Sequence, residues 1–447
     1  MERALCFLSG KTYLRRPKTT IFMPNRRKMP PIRPVGDISL PPLREWRLRN
    51  GMPAYSIDMG AQPGVRIELV FFAGRPYEQK RLVSRAAADM MGEGCLGYDA
   101  TALSDHFDYY GASISFPISL DTTNVALLCL NKHLPEVLPV FATMLAEPAF
   151  DDQELRRFCK QHQQLLREDL SQSDVVAYRE ITGAIFGAGH PYGYNSKPED
   201  FDTLAPTDLL THHQRYVQAA NGFIIIAGRV TPEVETMIDR YLGQLPTGMP
   251  AEPVPFPPCP PMPGSLRLPR PDAWQTSLRI GKQLFSRRHP DADAFYILDT
   301  LVGGYFGSRL MMNIREDKGY TYNIESSFDP MLYDGCWYVE CEVAHEAAND
   351  TLAEIYRELA LLRKQPILAD ELDMLKNYLL GTYLTMVDGP FNTAELLKTL
   401  LADRLPLAAF SQMVETTRNI TAENLQQLAQ TYLQPDSFWE VRVEPGE

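Results

Sequence analysis

The residues with the most to say about chemistry sit in RLVSRAAADMMGEGC, residues 81–95. Apolar pairs recur every four residues: Leu82 and Val83, Ala86 and Ala87, Met90 and Met91. That period predicts an amphipathic helix over 81–91 with one face in a core, ended by Gly92 and Gly94. A second stripe carries Arg85, Ala88 and Asp89 at i, i+3 and i+4. At this spacing a helix aims its side chains at one point, and metallopeptidase helices place His, Glu and His there. Here the positions hold a permanent cation, a methyl group and a carboxylate.

None of these does zinc hydrolysis. Arg85 repels a metal ion, and Ala88 has no group with which to take a proton from water. The chain has no H-x-x-E-H and no H-x-x-x-H. Its eight histidines are His106, His133, His162, His190, His212, His213, His289 and His345, and the only close pair is adjacent. Seven cysteines are scattered with no C-x-x-C, which argues for free thiols and against a zinc ribbon. No G-x-S-x-G is present, and no GKS or GKT follows the glycines of LVGGYFG (301–307), so a nucleophile elbow and a phosphate cradle are both excluded.

The elements that must position these residues come in two sets. A chain of 447 residues is too long for one core. PAEPVPFPPCPPMP, residues 250–263, is half proline and reads as a stiff linker between 37–249 and 264–447. The two segments echo each other. Thr207–Val230 and Thr421–Val443 both run threonine, helix, Tyr-x-Gln, break and strand, with Tyr216 and Tyr432 as counterparts. Glu154-Leu155 and Glu371-Leu372 each open a long helix at nearly the same offset. This predicts a duplicated domain.

In the first half, strands are expected at 65–73, 112–118 and 122–130, with helices at 81–91, 101–110, 133–145 and 152–171. The second half gives strands at 276–285, 320–328 and 336–343, with helices at 291–302, 308–318, 349–363 and 369–386. A helix and a strand close each half. Strands in adjacent runs and helices in blocks define an α+β class: two mostly antiparallel sheets, each with helices packed on one side.

These features together resemble the pitrilysin/insulinase family of zinc metallopeptidases, over about residues 40–445. GHPYG (189–193) and FIIIAGRVTPE (223–233) are similar to family stretches in order and distance. The resemblance implies that Arg85, Ala88 and Asp89 occupy the places of an H-x-x-E-H motif. It also implies that Glu168, in QQLLREDL, stands at the distal ligand. With only Glu168 of ligand type there, the expectation is no zinc in this chain, and a guanidinium paired with Glu168, Asp89 or both.

LVGGYFGSRLMMNIREDKGYTYNIESSF (301–328) closely resembles the family's substrate-gripping stretch. It places Arg315 and Tyr322 as donors to the peptide carbonyl, Tyr322 on an edge strand, and Gly303 and Gly304 in a flexible loop facing the peptide. The implied role is the non-zinc subunit of a heterodimeric peptidase whose homologous partner carries H-x-x-E-H. The alternative is an inert structural protein on the same fold, like the bc1 complex core proteins. A third possibility is a homodimeric hydrolase with some other site, against which stands the lack of any complete base, nucleophile or metal set.

Charge and targeting bear on partners. Residues 1–36 hold nine Lys/Arg and one acid. This is read as a basic, disordered arm, or a mitochondrial presequence. Against the formal total of −12, the remainder carries about −20, which excludes general nucleic-acid binding. No apolar run reaches the ~20 residues of a membrane span. A cytoplasmic location is expected, with the mitochondrial matrix as the alternative.

Overall fold

A computed structural model describes residues 35–260 and 262–446, so the basic arm over 1–34 lies outside the described residues. The first half runs β1 (Arg44–Arg47), β2 (Pro53–Asp58), β3 (Gly64–Phe71), α1 (Val83–Met90), β4 (Gly94–Cys95), β5 (Tyr98–Asp99) and α2 (Ala100–Tyr109). It continues β6 (Ser113–Ser115), β7 (Thr123–Leu130), α3 (Leu134–Ala146), α4 (Asp152–Asp169), α5 (Ser173–Phe186), α6 (Pro206–Tyr216), β8 (Gly222–Gly228) and α7 (Pro232–Tyr241). The second half runs β9 (Ser265–Arg270), β10 (Thr276–Leu284), α8 (Ala292–Val302), a π-helical segment (Met311–Asp317), β11 (Ile324–Pro330) and β12 (Gly335–Val343). It ends with α9 (Ala348–Lys364), α10 (Ala369–Met386), α11 (Gly389–Ala402), α12 (Ala408–Asn419), α13 (Ala422–Tyr432) and β13 (Trp439–Pro445).

The duplication is written in the topology. The first sheet has the order β1-β2-β8-β3-β7-β6 and the second β9-β13-β10-β12-β11. Without β1, the two orders correspond strand for strand. In each, the last strand of the half pairs in parallel with the first, β2 with β8 and β9 with β13, while the other pairs are antiparallel. Tyr216 and Tyr432 end the equivalent helices α6 and α13, and α4 and α10 begin at Asp152 and Ala369.

Each sheet is covered on one face by helices of its own half. The first-sheet core joins Ile67, Leu69, Val125 and Leu127 to Ala86 and Met90 of α1, Phe141 of α3 and Leu209 of α6. The strand GFIIIAG does not alternate, because both of its faces are buried. Ile224 and Ile226 enter that core, whereas Phe223, Ile225 and Ala227 pack on Ala394 and Leu397 of α11, a helix of the second half. The exchange is reciprocal. Ala177, Ile181 and Ile185 of α5 pack on Tyr338, Val441 and Val443 of the second sheet. Contacts therefore join Asp37–Glu447 into one unit.

The contact of α11 with the first sheet is fixed by charge. Glu68 of β3 is buried, accepts from Arg66 Nη2 at 2.7 Å and lies 3.0 Å from Lys398 Nζ of α11. The linker lies along the body. Ala251 N donates to Asn221 Oδ1, and Val254 N to the Pro76 carbonyl. Among the described residues, no helix is long and apolar enough to cross a membrane.

Candidate functional site

The residues of the α1 stripe do meet at one point, and they satisfy each other. Arg85 Nε lies 2.6 Å from Asp89 Oδ2, and His162 Nε2 of α4 lies 3.8 Å from the same oxygen. His162 Nδ1 is 3.0 Å from the Phe158 carbonyl. A carbonyl can only accept, so Nδ1 carries a proton and Nε2 faces Asp89. Burial pushes the Asp89 carboxyl up from its ordinary value, and Arg85 and then His162 pull it back. Glu93 is also raised, mainly by burial and by Glu154 nearby. The cluster borders a cavity of about 600 Å3 whose wall includes Glu93, Phe107, Ile114 of the edge strand β6, and Phe116.

Glu168 is not part of this cluster, which corrects its placement as the distal ligand. It lies on the exposed face of α4 and accepts from Gln164 Nε2 at 2.9 Å. The reason is helical phase. Phe158, His162 and Leu166 form an i, i+4, i+8 row turned toward the body, and two residues beyond Leu166 the helix has rotated by about 200°. Arg85 accordingly pairs with Asp89 alone. His162 was the member missed; its membership of the Phe158/Leu166 row was the available signal.

These residues do not fit zinc. The cation of Arg85 stands against the Asp89 carboxylate, Ala88 supplies no base, and His162 with Asp89 gives two donors where a catalytic site uses three. What the cluster can do is hold a neutralised carboxylate at the floor of a groove.

The second-half residues are presented differently. Arg315 sits on the π-helical segment, a geometry frequent at functional positions. Its guanidinium carbon lies 4.9 Å from the Phe306 ring centroid, and its Nε is 3.5 Å from Glu316 Oε1. A third of the side chain remains exposed. Phe306 was not singled out by its spacing; it is an exposed aromatic whose face holds a cation.

Tyr322 is 91% exposed. It lies in a bend two residues before β11 rather than on the strand itself, because the Thr321 hydroxyl reaches the Asn323 and Glu342 carbonyls and holds the chain out of the ladder. β11 is nonetheless the edge of its sheet. Beside Tyr322 a cavity of about 330 Å3 is walled by Asp174, Arg279, Glu340 and Glu342, with Arg279 paired to Glu340 between the rings of Tyr178 and Tyr338.

Gly303 and Gly304 end α8 and are not a flexible loop. Their amides donate to the Asp299 and Thr300 carbonyls. A Cβ on Gly303 would stand 2.3 Å from Ser326 N, and one on Gly304 2.7 Å from Thr300 Cα. Glycine is needed at Gly303 because the helix end presses on β11. Beneath it, the buried carboxylate of Asp299 accepts from Ser326 Oγ at 2.6 Å and Trp337 Nε1 at 2.7 Å.

Comparison with known proteins follows the same division. Residues 203–379 match the family described as the peptidase M16 inactive domain. The chain is 20% identical over 356 residues to a Bacillus subtilis (strain 168) protein named uncharacterized zinc protease YmxG, spanning 78% of this chain and 85% of that one. Residues 203–379 are thus similar to an M16 inactive-type domain, which supports the pitrilysin/insulinase resemblance. A shorter similarity, 26% over 132 residues, covers 29% of this chain and 20% of the mitochondrial-processing peptidase subunit alpha-1 of Dictyostelium discoideum. The fold is that of a crystal structure of a peptidase M16 inactive domain from Pseudomonas fluorescens. It has a TM-score of 0.84 at 23% identity, over 91% of this chain and 98% of that one.

Proposed function

We propose that this chain is the non-zinc subunit of a two-subunit peptidase. It grips an extended peptide with Arg315 and Tyr322 and presents it to a homologous partner that bears H-x-x-E-H. The single observation that carries this reading is the contrast between the two halves. The α1 position is closed by the Arg85–Asp89 ion pair, whereas Arg315 and Tyr322 are held outward beside the free edge of β11.

The chemistry of the open pair suits the task. A guanidinium and a phenol both donate to an oxygen that gains negative charge, and an edge strand offers backbone groups to an extended chain. On this reading the zinc belongs to the partner, and this chain contributes no metal ligand, nucleophile or base to peptide cleavage.

The test is purification of the endogenous complex, followed by cleavage of a mixed peptide pool. The reading expects an H-x-x-E-H homologue in the complex, activity in the complex, and none in this chain alone. A complex that lacks such a homologue, or one whose activity is unchanged by Arg315→Ala and Tyr322→Phe, would instead support an inert structural role.

A further inference from the structure

His190, Cys259 and Asp334 come from three separate segments, the GHPYG turn, the proline linker and the hairpin between β11 and β12. One ligand atom of each lies within 4.8 Å of the others. Cys259 Sγ is 3.4 Å from Asp334 Oδ2, and His190 Nε2 is 3.9 Å from the same oxygen. We propose that these three side chains bind a divalent metal ion, with Zn2+ the ion their chemistry fits, and so clasp the linker to the second sheet.

The spacing is that of a nearly closed coordination shell. Zinc bonds of about 2.3 Å to sulfur and about 2.0–2.2 Å to nitrogen and oxygen put tetrahedral donors roughly 3.3–3.7 Å apart. Shifts of a few tenths of an ångström up to about 1 Å would bring all three into that range. A thiolate, an imidazole and a carboxylate together select zinc over the oxygen-seeking Mg2+ and Ca2+. Thiolate and carboxylate also cancel the charge of the ion. Cys259 and Asp334 are half-buried, so water can complete the fourth position.

The surroundings orient the donors. Gln283 Nε2 donates to Asp334 Oδ2 at 2.8 Å, and Gly335 N to Oδ1 at 2.9 Å. The buried His190 ring is stacked on Phe186 at 5.2 Å and met edge-on by Phe256 of the linker at 4.6 Å. Such supporting contacts are what hold ligands in register.

Loading has a defined proton balance. His190 Nδ1 accepts from Tyr192 N at 3.2 Å, so the proton of the neutral ring is on Nε2. Binding moves that proton to Nδ1, gives up this long hydrogen bond, and releases the Cys259 thiol proton to solvent. Two weak hydrogen bonds, this one and that of the Cys259 thiol to Asp334 Oδ2, are exchanged for three metal bonds. The site uses none of Arg85, Asp89, Arg315 or Tyr322, and stands or falls independently of the subunit reading.

The experiment is titration of the full chain, stripped with chelator and desalted, with Co2+ as a spectroscopic probe and then Zn2+. The expected result is one equivalent of tetrahedral Co2+ with a thiolate-to-cobalt charge-transfer band, displaced by Zn2+, together with a rise in Tm on adding Zn2+. Cys259→Ser abolishes the band and the Tm shift, and Asp334→Asn weakens Co2+ binding by at least about tenfold. Both variants change partly exposed side chains, and circular dichroism confirms their fold. Absence of the band at one equivalent, or a band that survives Cys259→Ser, overturns the proposal.

Discussion

Arg85 donates from Nε to Asp89 Oδ2 at 2.6 Å, one helical turn away along α1 and within a groove that His162 closes from α4. The two charges satisfy each other at the place where the family resemblance puts metal ligands. The site is therefore folded and neutralised rather than collapsed, and it makes specific demands on pH.

Replacing Arg85 by Ala strands the Asp89 carboxylate in a mostly buried setting. Loss of a partner to a buried polar group costs about 1–3 kcal/mol. Burial already raises Asp89 while Arg85 lowers it, so in the variant the carboxyl titrates higher still. The destabilisation is then expected in full at pH 8 and fades as acid protonates Asp89. Denaturant unfolding of both proteins at pH 8 and pH 4.5 checks this. An equal loss at both values would show that Arg85 acts by packing alone.

Asp299 gives the opposite sign. Its carboxyl is fully buried and raised from 3.8 to about 6, by burial against the lowering effect of Ser326 and Trp337. The folded state keeps this proton where the unfolded chain has lost it. The protonated contribution is complete below about pH 4 and is lost as pH rises through about 6, on the order of 3 kcal/mol in all. Wild type minus Asp299→Asn, plotted against pH, is expected to fall across this window and then flatten. A flat difference curve would contradict it.

Lys398 should be needed for the contact of α11 with the first sheet. Lys398→Ala leaves Glu68 with Arg66 as its remaining partner on β3, and an expected loss of about 2–4 kcal/mol follows from breaking a buried pair. Removing both charges in Glu68→Leu/Lys398→Leu recovers much of that loss. Thermal unfolding of the three proteins measures it. No recovery in the double variant would mean the pair does more than cancel its own charges.

Gly303→Ala separates packing from loop motion. Its Cβ would press on Ser326 N, so a stability loss of about 1–3 kcal/mol is expected. A variant of unchanged Tm that loses peptide binding would restore the flexible-loop reading.

Much of this architecture was visible in the pattern of residues, and the misses have physical causes. The paired landmarks Tyr216/Tyr432 and Glu154/Glu371 carried the duplication, because equivalent helices end and begin there. GFIIIAG is buried on both faces, yet nothing local says that α11, some 170 residues on, covers the second face. Glu168 was placed by similarity, whereas helical phase turns His162 inward and Glu168 out. Tyr322 was placed on a strand expected at 320–328, and the Thr321 hydroxyl holds the chain out of the ladder so that β11 begins only at Ile324. The closeness of His190, Cys259 and Asp334 joins three distant segments, so no spacing in the sequence records it.

The central claim is that this chain contributes an oxyanion-binding pair, and no metal chemistry, to a peptidase site completed by its partner. The most direct measurement is kcat for peptide cleavage by the complex with the co-purifying H-x-x-E-H homologue, comparing wild type with Tyr322→Phe in this chain. Loss of one such donor is expected to lower kcat about 10²–10³-fold, while the complex remains assembled on size-exclusion chromatography. Cleavage at the wild-type rate by an intact Tyr322→Phe complex would contradict the account.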